Sequence, residues 1–326
     1  TWLLQLELGL LRFVASYNNF TSEGGVITGW IALRDLSNMF FIIILLVIAF
    51  ATILRISSYG YQQLLKKTII VAILINFSKT IVGFLIDIVQ VVMLTFIAAV
   101  DNVMAGGVVV ALGLQGIMTI AKNVVGADLA GPKLDDYIVA LVMSSIFIQI
   151  LVVVIGVMVM MLIMRIVALW VAIILAPLAF ISSIFPATKS FYSKWTKEFG
   201  ANLVSGPMLA FFLWLTLTIV GNGDAYKSFT DGEDIAGSGA TEFLGTSNMV
   251  NYIVAIALLL TGIKQAAASG AAGANFASKG MSMIQDRASK MARRYPGAAF
   301  TRAKAGIARG LIRSEDGSAK SLTKGM

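Results

Sequence analysis

The chain has 326 residues, 58% of them hydrophobic and 13% charged, with a mean hydropathy of +0.87 and a formal charge of +8. Soluble domains run near 45–50% apolar and about 25% charged, so this composition excludes an ordinary soluble enzyme, a disordered tail or a fibrous repeat. It predicts an all-α, polytopic helical membrane protein. Cysteine and histidine are absent, which removes disulfides, thiol redox chemistry, Cys/His zinc sites and Ser-His-Asp or Cys-His nucleophiles.

Charge divides the chain. Residues 264–326 hold 12 Lys/Arg against 3 Asp/Glu, whereas residues 1–263 hold 13 against 14. The positive-inside rule therefore places a basic tail, residues 266–326, in the cytoplasm. At the other end, residues 2–14 carry Glu7 and Arg12, a poor signal-peptide core. They are expected to form an amphipathic helix at the membrane surface, within an external segment of residues 1–35. Asn19-Phe20-Thr21 matches a glycosylation sequon, a pattern of little weight alone.

The membrane domain is expected over residues 36–265, with spans defined by the need for about 20 apolar residues to cross roughly 30 Å. The first is 36–54, closed by Arg55 and followed by a cytoplasmic loop with Lys66 and Lys67. The second, 68–98, would be roughly 46 Å long and must tilt, break or project. Residues 101–136 are net acidic and predicted outside. Their uncharged middle, 103–121, carries Gly106, Gly107, Gly113 and Gly116 and suits close packing or a re-entrant loop. Residues 137–184 are apolar and too long for one simple span, so they predict one long bent helix or a span plus a re-entrant segment. A loop with Lys189, Lys194 and Lys197 follows, expected in the cytoplasm. Spans at 199–220 and 249–263 then flank an acidic outer loop. This parity puts the N-terminus outside and the C-terminus inside after about five crossings, or six if residues 166–184 span independently.

One feature of the second span stands out. Asn76, Lys79, Gly83, Asp87 and Gln90 are spaced 3, 4, 4 and 3 apart, which places them on one helical face. A Lys or Asp at a helix centre costs about 2.5–3.5 kcal/mol on the insertion scale, so the stripe must meet protein or water. It predicts either a pathway wall or a helix–helix or subunit interface. Arg165, alone in a long apolar run, raises the same alternatives. In the tail, Met281, Ile284, Ala288 and Met291 recur at helical spacing among Arg287, Lys290, Arg293 and Arg294. That pattern suits anionic lipid. Nucleic-acid contact has weaker support, from Phe276, Tyr295 and Phe300 as stacking surfaces. No Walker loop, GxGxxG or carboxylate pair is recognisable, so neither an enzyme nor a cofactor is expected.

The run Arg165 to Trp170 with Leu169, then Ala176-Pro177-Leu178-Ala179-Phe180, Pro186, Trp195 and Gly206-Pro207, resembles the TrbL family. These are polytopic inner-membrane subunits of bacterial type IV secretion and conjugation systems. Residues 51–56 and 75–80 share the likeness, which covers roughly residues 30–265. The resemblance implies an outside N-terminus, about five or six spans, a sizeable loop after the second, and a cytoplasmic C-terminus. It also implies several copies of the chain around a central passage for DNA or protein, driven by separate ATPase subunits. Lys189, Lys194, Lys197 and the basic tail would then dock those ATPases or lipid headgroups. The short basic tail departs from members that carry extra domains there. The alternative is a stand-alone secondary transporter or ion channel using the polar stripe.

Overall fold

The computed structural model describes residues 2–55, 61–104, 134–221 and 246–280, together with 282, 283 and 286. Residues 1–280 form one unit and residues 281–326 a second. The expected re-entrant stretch beyond residue 104, the outer loop 222–245, and Arg287, Lys290, Arg293 and Arg294 lie outside the described residues. Every regular element among the described residues is helical: α1 (Trp2–Ala15), α2 (Gly24–Ile53), α3 (Tyr61–Asn76), α4 (Ser78–Met104), α5 (Leu134–Ser182), α6 (Lys189–Gly221) and α7 (Thr246–Ala268). Among the described residues, four stretches are long and apolar enough to cross a membrane: Gly24–Ile53, Ser78–Asn102, Ile148–Ser182 and Pro186–Ile219. The apolar part of α7, Ile253–Ala268, is shorter.

The long apolar stretch around Arg165 forms one helix. α5 has 49 residues, about 73 Å at 1.5 Å per residue, and runs through Pro177. A proline inside a helix removes one hydrogen bond. In that turn the Trp195 indole donates to the Ala172 carbonyl oxygen at 3.2 Å. α5 is the axis of the unit: α1, α2, α3, α4, α6 and α7 all pack on it. One core cluster joins Val82 and Ile86 of α4, Leu169 and Ile173 of α5, Trp195 and Phe199 of α6, and Phe20 and Val26 near the N-terminus. A second joins Ile44 and Ile48 to Leu64, Val71, Ile75 and Ile184, so that α2 and α3 form a hairpin beside the C-terminal end of α5.

The second predicted span breaks. Phe77 separates α3 from α4, and the Ser78 hydroxyl donates to the Ile75 carbonyl at 2.7 Å while accepting the Trp30 indole N–H at 2.9 Å. A serine that bonds back to its own helix weakens the ladder there, and the tertiary bond from Trp30 fixes that state. Lys66 and Lys67, expected in a loop, belong to α3. Lys67 donates to the Ser183 and Ile184 carbonyls at the end of α5, where a cation complements the helix dipole. Lys189, Lys194 and Lys197 likewise sit in helix rather than loop. Tyr192, Trp195 and Phe199 recur at helical spacing and pack against the α5 cluster, which sustains the helix from Lys189 onward.

Both termini of the unit differ from a simple membrane-surface picture. α1 buries Leu8, Leu11, Val14 and Ala15 against α5, and Arg12 pairs with Asp101 of α4 at 2.7 Å. After α7 the chain turns at Gly270 (φ 84°) and Gly273 (φ 92°), a conformation that favours glycine. A side chain at Gly273 would stand 3.2 Å from the Met161 backbone, and one at Gly280 would run into Val157. Residues 273–280 therefore lie back along α5, from Met164 towards Val157. The chain does not pass straight from α7 into the tail.

Two expectations follow. Ser78→Ala leaves the buried Trp30 indole without its acceptor and should cost about 1–3 kcal/mol of stability, read as unfolding in mixed micelles. Glu7 faces Gly156 of α5, with one carboxylate oxygen buried and unpartnered, and burial raises its pKa above 4.5. The folded chain then holds this proton more tightly than the unfolded chain, so stability falls as pH rises above about 4.5. Thermal melts between pH 4.5 and 7 should show that slope reduced in Glu7→Gln.

Candidate functional site

Arg165 is the largest fully buried side chain, 2% exposed, in the middle of the bundle. Its Nε donates to the Asn202 carbonyl of α6 at 3.0 Å, and one terminal nitrogen donates to the Gln90 side-chain oxygen of α4 at 3.3 Å. The guanidinium lies over the Phe20 ring at 5.7 Å. The second terminal nitrogen is buried without a partner, and among the described residues no carboxylate pairs with the group. Gln90 turns its amide nitrogen to the Ala15 and Tyr17 carbonyls, both at 3.0 Å. Asn202 accepts the Ala272 backbone N–H on its side-chain oxygen at 2.7 Å. One connected set of bonds therefore ties α4, α5 and α6 to the N-terminal turn and to the segment after α7. The Ser205 hydroxyl donates to the same Asn202 carbonyl at 2.9 Å, and the arrangement can hold helices in register.

Small residues make room for it. A methyl group at Gly206 would stand 2.6 Å from Arg165 Nε, 2.7 Å from Cζ and 2.8 Å from Met93 Sδ. The Gly206-Pro207 pair thus lies at the closest approach of α6 to the arginine. Asn202 is the member of this set that the sequence reading passed over. Its one signal is being the only amide in the apolar stretch 199–220. The other contributors, the carbonyls of Ala15 and Tyr17 and the N–H of Ala272, are backbone groups with no sequence signal.

The polar stripe is divided by the break at Phe77. Asn76 ends α3, exposed, and bonds back to the Ala72 carbonyl at 2.9 Å. Lys79, Gly83 and Gln90 face the N-terminal segment. Lys79 lies 5.6 Å from the Trp30 ring centroid. A side chain at Gly83 would stand 2.7 Å from the Thr21 methyl. Gln90 holds Ala15 and Tyr17. Asp87, on the same side between Gly83 and Gln90, stays exposed. Lys79, Gly83 and Gln90 are thus the seat of residues 15–30.

The remaining motif residues are mainly aromatic packing around α5. Leu169 and Pro177 are buried. Trp170 meets Tyr17 edge-on at 5.9 Å. Phe180 meets Trp195 at 5.8 Å, and Trp195 stacks on Phe199 at 5.3 Å. Pro186 opens the short 3₁₀ turn that joins α5 to α6.

The surface around this turn has two characters. On one side the α2–α3 hairpin exposes Ile42, Leu46, Phe50, Ile69 and Ile73. An apolar cavity of about 470 Å³ lies between Val47, Phe50, Leu54 and Phe185. On the other side the first turns of α6 expose Lys189, Ser190, Ser193, Lys194, Lys197 and Glu198, with Lys194 and Glu198 at 4.0 Å. The two surfaces share a level, because Ala187 and Thr188, just before α6, line the same cavity as the end of α2.

No family model, curated protein or solved structure matches the chain.

Gly206→Ala is expected to cost about 1–3 kcal/mol through overpacking against the guanidinium. In an Arg165→Met background the same substitution should cost at least about 1 kcal/mol less, since contacting sites couple. A double-mutant cycle of unfolding in mixed micelles checks both values.

Proposed function

We propose that this chain is a multi-pass subunit of the membrane platform or channel of a bacterial type IV secretion or conjugation machine, in the cytoplasmic membrane. In this reading several copies form a ring, the N-terminus lies outside, about five segments cross, and the basic tail lies inside. The machine moves DNA or protein, and separate ATPase subunits supply the energy. The tail and the outermost α6 lysine, Lys189, meet those ATPases or anionic headgroups.

The observation that carries this proposal is the two-sided level at the end of α5. Lipid suits the apolar hairpin there, but it does not suit the exposed Lys189, Lys194, Lys197 and Glu198 that follow along α6. Water suits the lysines but leaves a large apolar surface uncovered. A ring satisfies both, with hairpins turned to lipid and the starts of α6 turned to a wet interior or to neighbouring protein. The TrbL-like run supports the same reading, because Arg165, Gly206, Trp195 and Pro186 serve the packing that sets α6 in place. The stand-alone transporter reading loses its main support, since the stripe it would use is occupied by the N-terminal segment.

The test is crosslinking in intact membranes, followed by mild extraction, sizing and mass spectrometry. The expected result is an assembly with several copies of this chain and secretion ATPases. A monomer or dimer without such partners, after efficient crosslinking, would overturn the proposal.

A further inference from the structure

We infer that the α4 face bearing Asp87 is a docking surface for a second copy of this chain, which brings to it the α6 face bearing Lys197. The inference rests on the ring reading above and names its subunit contact.

Asp87 sits nine residues into α4, near the middle of an apolar helix, and is exposed. Among the described residues it forms no ion pair. A carboxylate there is a poor neighbour for lipid. The nearest cation on its own face, Lys79, is eight residues away, about 12 Å along the helix, and lies over Trp30. Glu23, on the adjoining turn, is itself bonded by Tyr17 at 3.0 Å. Among the described residues the charge at Asp87 is therefore unanswered. Around it α4 exposes Phe84, Ile88 and Val91, which with Asp87 make one protruding stripe.

The start of α6 presents the complement. Ser193, Lys197, Gly200 and Val204 are spaced 4, 3 and 4 apart, on one face. Lys197 is exposed and Val204 is 47% exposed. Open space surrounds the position where a Gly200 side chain would stand. This stripe is small and basic where the α4 stripe is large and acidic. Small residues let apolar helices approach closely.

The two stripes also lie at one height, measured along α5. Ile86 packs with Leu169 and Ile173, and Gln90 reaches Arg165, so Asp87 lies near residue 168 of α5. Trp195 bonds to Ala172, so Lys197 lies within a few residues of the same point. The offset is roughly 6 Å or less at 1.5 Å per residue, within reach of a lysine side chain. Copies related by rotation about the membrane normal share depth, so equal height is what a ring contact needs. The contact joins two different faces, which makes it heterologous, and rings close by such contacts.

The chain contains no cysteine, so introduced cysteines report without background. Two differently tagged copies, one Asp87→Cys and one Lys197→Cys, are coexpressed and oxidised in intact membranes. The expected product is a disulfide-linked pair carrying both tags, and a ladder of multimers when both substitutions are in one chain. Ile42→Cys on the lipid-facing hairpin, paired with Lys197→Cys, should give at least tenfold less. As a second readout, Asp87→Lys should reduce the native assembly at least tenfold, and adding Lys197→Glu should restore it. A dimer from Asp87→Cys alone, no mixed product while the native assembly keeps its size, or failure of the charge swap to restore assembly would each overturn this contact and leave the ring reading standing. A monomer by native sizing of the unsubstituted chain would overturn both.

Discussion

The buried guanidinium of Arg165 is the constraint around which the described structure is arranged. A fixed cation in an apolar helix must be surrounded by acceptors, and no carboxylate among the described residues supplies them. The acceptors come from a backbone carbonyl of α6 and an amide of α4, with the Phe20 ring on one side. Each of these has its own requirement. The Asn202 carbonyl is within reach only if α6 comes close, which Gly206 permits. Gln90 can offer its oxygen because its nitrogen is spent on Ala15 and Tyr17. Asn202, its carbonyl engaged, uses its side chain to hold the segment after α7.

The N-terminal segment is consequently part of the bundle. The C-terminal end of α1 is anchored by Arg12–Asp101 and by the Ala15 and Tyr17 carbonyls that Gln90 takes. The turn that follows fills the space over Gly83 with Thr21, and α2 begins at Gly24 beside it. Trp30 then ties α2 to the break between α3 and α4 through Ser78. Of the polar stripe, which the sequence offered as a pathway wall or a helix or subunit interface, Lys79, Gly83 and Gln90 receive this segment, and Asp87 is the member left facing outwards.

The exterior is asymmetric in a way that bears on assembly. The hairpin of α2 and α3 is apolar on its open side, whereas the start of α6, next to the cavity at the end of α2, is polar and lysine-rich.

Helical class, strong apolarity and the approximate positions of the crossing helices follow from composition and from runs of about 20 apolar residues, because hydrocarbon burial is local and additive along a chain. Arg165, Gln90 and Gly206 were visible as exceptions to the apolar pattern for the same reason. Their mutual contact was not visible. Gln90, Arg165 and Asn202 come from three helices separated by 75 and 37 residues, and no local period relates them. The lysines at 66, 67 and 189–197 read as loops because charge is a local signal. Helix 3 and the start of helix 6 form nonetheless, because one face of each is buried against partners distant in sequence. The break at Phe77, the seating of the N-terminal turn and the reversal after α7 were likewise decided by tertiary contacts. Each depends on a backbone carbonyl, a backbone N–H or the absence of a Cβ at a point of close approach, and these acquire meaning only when another helix arrives beside them.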